Sequence, residues 1–204
     1  MDAKWADWAK RLSAVAQNGL TYAQNVFDRE RYNSVRNIAA EIMAAHTGVD
    51  TDTVLDFFAR EDGYATPKVD VRAVVFRAAA LLFVKEPEDG RWSLPGGWAD
   101  VGESPSEAVV REVLEEAGYE TRAVKLLAVY DRNKHDHPPI SHHAYKLFIR
   151  CEPLSSSPTA SAEAEAKFFE EGAIPELSVT RVTTAQIARL FDHYRHPDWP
   201  ADLD

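Results

Sequence analysis

The chain has 204 residues, of which 45% are hydrophobic and 27% charged, and its formal net charge is -10. That is globular composition, long enough for one ordinary domain and a small second one, and it excludes a disordered tail or a fibre. Lys and Arg form no basic stripe, so nucleic acid is not expected as a partner. An acidic protein that handles an anionic substrate needs a local source of positive charge, and bound metal ions are one.

A single cysteine, Cys151, rules out an internal disulfide and fits a reducing compartment. It closes an apolar run, Ala144 to Ile149, and reads as a buried strand residue. Met1 to Lys10 is mixed charged and aromatic, without the apolar centre of a signal peptide, and no apolar run approaches a membrane span. A cytoplasmic protein without a membrane partner is expected.

The first third is helical by pattern. Trp5, Trp8, Leu12 and Val15 step by three and four on one face. A second helix is predicted after Asp28 as N-cap, with Tyr32, Val35, Ile38, Ala39 and Ile42 inward. A third runs from about Asp52 to Arg60, turning Val54, Leu55 and Phe58 inward. The pattern breaks between Glu61 and Pro67, which sets a boundary between a helical domain, 1–65, and a second domain, 66–204. Three short helices make a marginal core alone, so the helical domain is expected to pack against something larger. With Trp5 and Trp8 in mind, a homodimer is expected, with a possible share in the substrate pocket.

Beyond the boundary the period becomes two. Val69, Val71, Ala73 and Val75 alternate, and Ala79 to Val84 is a short apolar run, giving two strands. Trp92 to Leu94 is a third, ending at Pro95-Gly96-Gly97. A helix from Pro105 to Ala117 follows, then strands at Val124 to Tyr130, Ala144 to Cys151 and Ala166 to Phe169. A last helix covers Thr183 to Tyr194, and Trp199 to Asp204 reads as a tail.

The helix after Gly97 carries the chemistry. Ser104-Pro105-Ser106-Glu107 is a capping box with proline at the first helical position, and Gly118 is placed for a left-handed stop. Val110, Val113, Leu114 and Ala117 form the core-facing stripe. The other face crowds Glu112, Glu115 and Glu116 into the last turn and a half. Glu112 and Glu116 are like charges at i, i+4, a cost of about 0.2–0.5 kcal/mol. All three lie near the negative end of the helix dipole. A sequence chosen for stability alone would place Lys there. A Mg²⁺ ion, hard and doubly charged, removes both penalties. A solvated acidic face is the bland alternative. Arg111 can lean toward Glu107 or Glu115.

From Gly97 the chain reads Gly, five residues, Glu103, seven residues, then Arg111-Glu112-Val113-Leu114-Glu115-Glu116-Ala117-Gly118-Tyr119. This resembles the Nudix box of the Nudix hydrolases, with every fixed position present and Tyr119 standing where an aliphatic residue is usual. The resemblance implies an α+β fold, a mixed sheet sandwiched between helices, here with a small N-terminal helical domain. It implies hydrolysis of a nucleoside diphosphate linked to a moiety X, with Mg²⁺ or Mn²⁺ as cofactor, two or more ions per site. Glu112, Glu115 and Glu116, with Gly97, would hold metal; Arg111 would orient the glutamates, and Glu103 would lie near the metals or hold Arg111. Glu116, Glu163 or Glu165 would take the proton from water.

The resemblance extends to a bacterial subgroup with a helical N-terminal domain and ADP-ribose or CDP-choline pyrophosphatase activity, through Thr66 to Tyr119 with Leu94 to Asp100, through Tyr130 to His135 and on to Tyr145-Lys146, and through Gly19-Leu20 and Asp28 to Tyr32. Substrate contacts are expected from Trp98, which could equally be a packing residue, and from Arg132, Lys134, His135 and His137. A triphosphate-cleaning Nudix pyrophosphatase and a Nudix-like ligand sensor are the competing readings.

Overall fold

The structure is a computed structural model describing residues 4–204. Of the segment Met1 to Lys10, the first three residues lie outside the described ones. Among the described residues no helix is long and apolar enough to cross a membrane. The chain divides into two compact units: one runs to Pro67 and includes 139–143, and the other spans 68–138 and 144–204.

The helical unit contains α1 (Lys4–Tyr22), α2 (Val26–Thr47) and α3 (Thr51–Ala59). Its core is built on small residues: Ala9, Ala39 and Ala40 are fully buried, closed by Met43, Val54 and Phe58, with Trp5 and Leu12 packed against them. The expected faces are corrected here. Trp8, Val15 and Ile38 are exposed, because alanine lets α1 and α2 approach closely and the larger side chains do not fit between them. The N-cap of α2 is Asn25, whose side chain accepts the Asp28 N–H; Asp28 lies inside the first turn, where its charge suits the helix dipole.

The second unit is a seven-stranded mixed sheet with the strand order β3-β2-β1-β5-β4-β7, and β6 pairs with β2 off that path. The strands are β1 (Lys68–Arg77), β2 (Ala80–Lys85), β3 (Trp92–Ser93), β4 (Thr121–Asp131), β5 (Ala144–Pro153), β6 (Ala166–Glu170) and β7 (Asp202–Leu203). Two helices complete it, α4 (Pro105–Ala117) and α5 (Thr184–Arg195). β1 and β5 run parallel in the middle, with Asp70 opposite Lys146 and Arg72 opposite Phe148.

Successive strand residues face opposite sides, and both sides are covered. Val71, Ala73 and Val75 pack with Ala108, Val109, Val113 and Ala117 of α4. Val74 and Phe148 pack with Ile187, Leu190 and Phe191 of α5. Cys151 is buried on the α4 side, and burial pushes its thiol up to about 12, consistent with an inert core residue. Tyr119 is accommodated edge-on against Phe168, with ring centroids 5.7 Å apart. The expected tail is structured: β7 pairs in parallel with β4, and the Asp202 carboxylate takes Arg189, Tyr130 and His193.

Candidate active site

α4 follows its sequence signals at both ends. Ser104 and Glu107 form the reciprocal capping box, Pro105 opens the helix, and Gly118 closes it at φ 73°. The core-facing stripe is rotated slightly from expectation: Ala108, Val109, Val113 and Ala117 are buried, while Val110 and Leu114 are half-buried.

The segment before the helix reaches the same place by a different route. β1 pairs with β2 only at its far end. Its near half takes Pro95 to Ala99 instead: Val71 N–H donates to the Gly97 carbonyl at 2.8 Å and Ala73 N–H to that of Pro95 at 2.8 Å. Two glycines make this possible. A Cβ on Gly96, at φ 143°, would lie 2.0 Å from the Val71 carbonyl oxygen, and one on Gly97 would lie 2.8 Å from the Glu112 carboxylate. The glycines therefore let backbone, not side chain, line the glutamate face. Gly96 N–H donates to Glu116 Oε2 at 2.9 Å.

The four expected acidic residues form two sets that share Glu112. Arg111 grips Glu103 with Nε and Nη2 at 2.8 and 3.0 Å, and its Nη1 donates to Glu115 at 2.9 Å and Glu112 at 3.1 Å. Its guanidinium pKa is raised, chiefly by the Glu103 bond, and the same bond holds the Glu103 carboxyl below its ordinary value. Glu107, the other expected partner of Arg111, is occupied by the capping box. Glu112 and Glu116 are the inward pair. Burial pushes the Glu112 carboxyl up against the pull of Arg111, and pushes Glu116 up to about 7 despite the Gly96 N–H and the nearby Arg72 charge.

Among the described residues no three His, Cys, Asp or Glu side chains already converge as an ion cage. The donor set nonetheless fits a hard divalent cation. Glu112, Glu115 and Glu116 offer carboxylate oxygen, two of them partly desolvated without enough positive charge to balance them, and Gly97 presents bare backbone to Glu112.

Other expected residues fall elsewhere. Backbone N–H groups of Glu163 and Ala164 cap the Glu115 and Glu116 carbonyls, which brings this segment to the end of α4. The Glu165 carboxylate, however, is taken by Lys167 and by Lys85 at 3.5 Å, and the Lys167 bond lowers its pKa. Trp98 is 43% exposed beside Asp70 of β1. Arg132, expected at substrate, lies inside the protein at 3% exposure, donating to the Pro138 and Thr180 carbonyls. An arginine at the start of a tight 3-10 turn can reach carbonyls that neighbouring loops leave open. Lys134 is exposed; the His135 ring lies tilted 4.1 Å from that of Tyr130 and meets Asp204 at 2.9 Å. His137 bonds the Val179 carbonyl at 2.7 Å, and burial lowers it to about 4.

One cluster was not foreseen as such: Lys146 entered only through the subgroup resemblance, and Asp70 and Arg72 had no role. Asp70 and Arg72 of β1 and Lys146 of β5 form a buried ion cluster on the α5 side of the sheet. Burial pushes the Asp70 carboxyl up, but Arg72 and Lys146 outweigh it and hold the carboxyl low. The alternation of β1 singled out Val69, Val71, Ala73 and Val75 and left Asp70 and Arg72 as the polar positions between them. A strand covered on both sides turns any polar residue in either alternation into a core residue, and that was the available sign.

The fold and glutamate helix define a Nudix hydrolase, and the chain belongs to that family: residues 66–191 match the NUDIX domain. Residues 3–58 match a UDP-X-like, N-terminal oligomerisation domain. A Bacillus subtilis (strain 168) protein provisionally named ADP-ribose pyrophosphatase YjhB is 45% identical over 196 residues, 96% of this chain and 94% of that one. Among solved structures, a UDP-X diphosphatase is 30% identical with a TM-score of 0.63, covering 99% of this chain and 98% of the other. An ADP-ribose pyrophosphatase from Streptococcus suis 89-1591 is 36% identical with a TM-score of 0.61, covering 68% of this chain and all of that one.

Proposed function

We propose that this hydrolase cleaves the pyrophosphate bond of a nucleoside diphosphate linked to a moiety X, of the ADP-ribose or CDP-choline type, giving a nucleoside monophosphate and X-phosphate. The observation that carries the reading is the pair Glu112 and Glu116, desolvated against the Gly96–Gly97 backbone with too little positive charge beside them. Likeness over the whole chain to proteins named for ADP-ribose and UDP-X substrates supports the substrate class.

In this reading Glu112, Glu115, Glu116 and Gly97 hold at least two Mg²⁺ or Mn²⁺ ions. The ions supply charge neutralisation on the phosphates and a water of lowered pKa. Glu103 fixes Arg111, and Arg111 keeps Glu112 and Glu115 in place until they bind. The water oxygen bonds to one phosphorus, the bridging oxygen leaves with the other phosphate, and a carboxylate takes the water's proton. Glu116 is the first candidate for that proton. Glu165 is the second, but it must leave Lys167 and Lys85 to serve. Glu165→Gln separates them: a loss of turnover comparable to that of Glu116→Gln returns the role to Glu165.

Trp98, Lys134, His135 and His137 remain the candidates for contacts to the base or X, with Arg132 shaping the loop from inside. The helical unit exposes Trp8, Val15, Val26 and Phe27, which we assign to a homodimer interface. Trp8→Glu in the full chain should shift light scattering from dimer to monomer; an unchanged mass removes that surface. A location in the cytoplasm fits the lone reduced cysteine. The decisive experiment is a panel of ADP-ribose, CDP-choline, UDP-sugars and dNTPs with Mg²⁺ or Mn²⁺ and product identification. A monophosphate with X-phosphate is expected; pyrophosphate released from a dNTP as the preferred reaction overturns the assignment.

A further inference from the structure

We propose that Arg72 is a positioning residue for the metal-binding carboxylates, acting through the Leu94–Gly97 backbone without touching substrate. The inference rests on the reading of Glu116 as a metal ligand. Arg72 is 2% exposed and lies on the face of the sheet away from α4. Its Nε donates to Asp70 Oδ1 at 2.8 Å and its Nη1 to the Leu94 carbonyl at 3.1 Å. The other Asp70 oxygen accepts from the Lys146 ammonium, which is fully buried.

Two buried cations against one carboxylate are a poor device for stability. An apolar replacement of a buried ion cluster is often neutral or better. The cluster is explained by what the far end of the guanidinium holds. Two residues beyond the Leu94 carbonyl, Gly96 N–H binds Glu116 at 2.9 Å; one further, Gly97 lies flat against Glu112. Asp70 and Lys146 thus fix Arg72, Arg72 holds the Leu94 carbonyl together with Ser93 Oγ, also at 3.1 Å, and the loop presents the Gly96 N–H and the Gly97 backbone to both glutamates. The rival account is that the β1 ladder bonds to Pro95 and Gly97 fix this loop unaided.

The two accounts separate in Mn²⁺ binding by the full chain without substrate, followed by electron paramagnetic resonance of the free ion. The proteins are the parent, Arg72→Lys, Glu116→Gln and the double variant. Lysine keeps the charge but cannot span Asp70 and the Leu94 carbonyl together. Arg72→Lys is expected to weaken binding about tenfold or more, the scale of losing an outer partner of a metal site. In the Glu116→Gln background Arg72→Lys should cost clearly less than in the parent, because the Glu116 branch of the link is already broken and only the Gly97–Glu112 branch remains. Binding by Arg72→Lys within twofold of the parent, or a full further loss in the double variant, overturns the proposal. If Glu116→Gln alone binds like the parent, the ligand reading fails and takes this inference with it. Should Arg72→Lys not fold, Asp70→Asn, which loosens Arg72 without removing it, enters the same cycle with the same expected pattern.

Discussion

Asp202 and Glu116 are partly buried carboxylates in the same unit, and their surroundings treat them in opposite ways. Asp202 accepts two bonds from Arg189 at 2.6 and 2.7 Å, one from Tyr130 at 2.8 Å and one from His193 at 3.1 Å. Led by the Arg189 bonds, its pKa falls well below the ordinary value of 3.8. Glu116 receives the Gly96 N–H, has Glu112 beside it, and is pushed up by burial. A carboxylate saturated by the protein serves the fold. One left short of positive charge is poised for a ligand that brings it.

That contrast can be broken from either side. The largest effect is expected at the unsaturated site: Glu116→Gln or Glu112→Gln should lower kcat by more than about 100-fold, beyond the loss seen for an outer partner of a metal site. Without metal, the thermal stability of either variant should be at least that of the parent. At the saturated site the order reverses. Asp202→Asn should cost about 1–2 kcal/mol, because the charge-assisted bonds from Arg189, Tyr130 and His193 are weakened although Arg189, more than a third exposed, keeps water and the Trp199 ring, and kcat should stay within a few fold. Because the folded pKa of Asp202 is depressed, its contribution is fully present above the ordinary Asp value. It is lost as the pH falls below that value, so the gap in melting temperature between parent and variant should close in acid. A gap that persists unchanged at low pH means that Asp202 acts through packing instead. The smallest effect is local: Ser104→Ala should cost about 1 kcal/mol by removing one half of the α4 capping box, measured by denaturant unfolding.

The sequence was most legible where local chemistry decides structure. α4 runs from Pro105 to Ala117 as its caps predict, and the crowding of Glu112 and Glu116 was visible from spacing alone. What was hidden depends on residues far apart in the chain. Arg72, Asp70 and Lys146 meet only because β1 and β5 pair in parallel, and Asp202 finds Tyr130 only because the last residues add a strand to β4. In the helical unit the large side chains misled: periodicity turned Trp8 and Ile38 inward along with Ala39, whereas close approach kept Ala39, with Ala9 and Ala40, and left the two larger side chains outside. Arg132 was assigned to substrate by its charge in a loop, and only the fold shows it bound to two carbonyls inside.

The central claim is that the α4 glutamates sit where they disfavour the fold until a cation binds. The most direct test is the melting temperature of the parent and of Glu116→Gln, each with chelator and with saturating Mg²⁺ or Mn²⁺. Binding to the folded state alone must raise the parent's melting temperature. The account predicts that rise for the parent, little or none for the variant, and a metal-free variant at least as stable as the metal-free parent. A metal-free variant that melts lower than the parent, with an equal rise for both on adding metal, would contradict it.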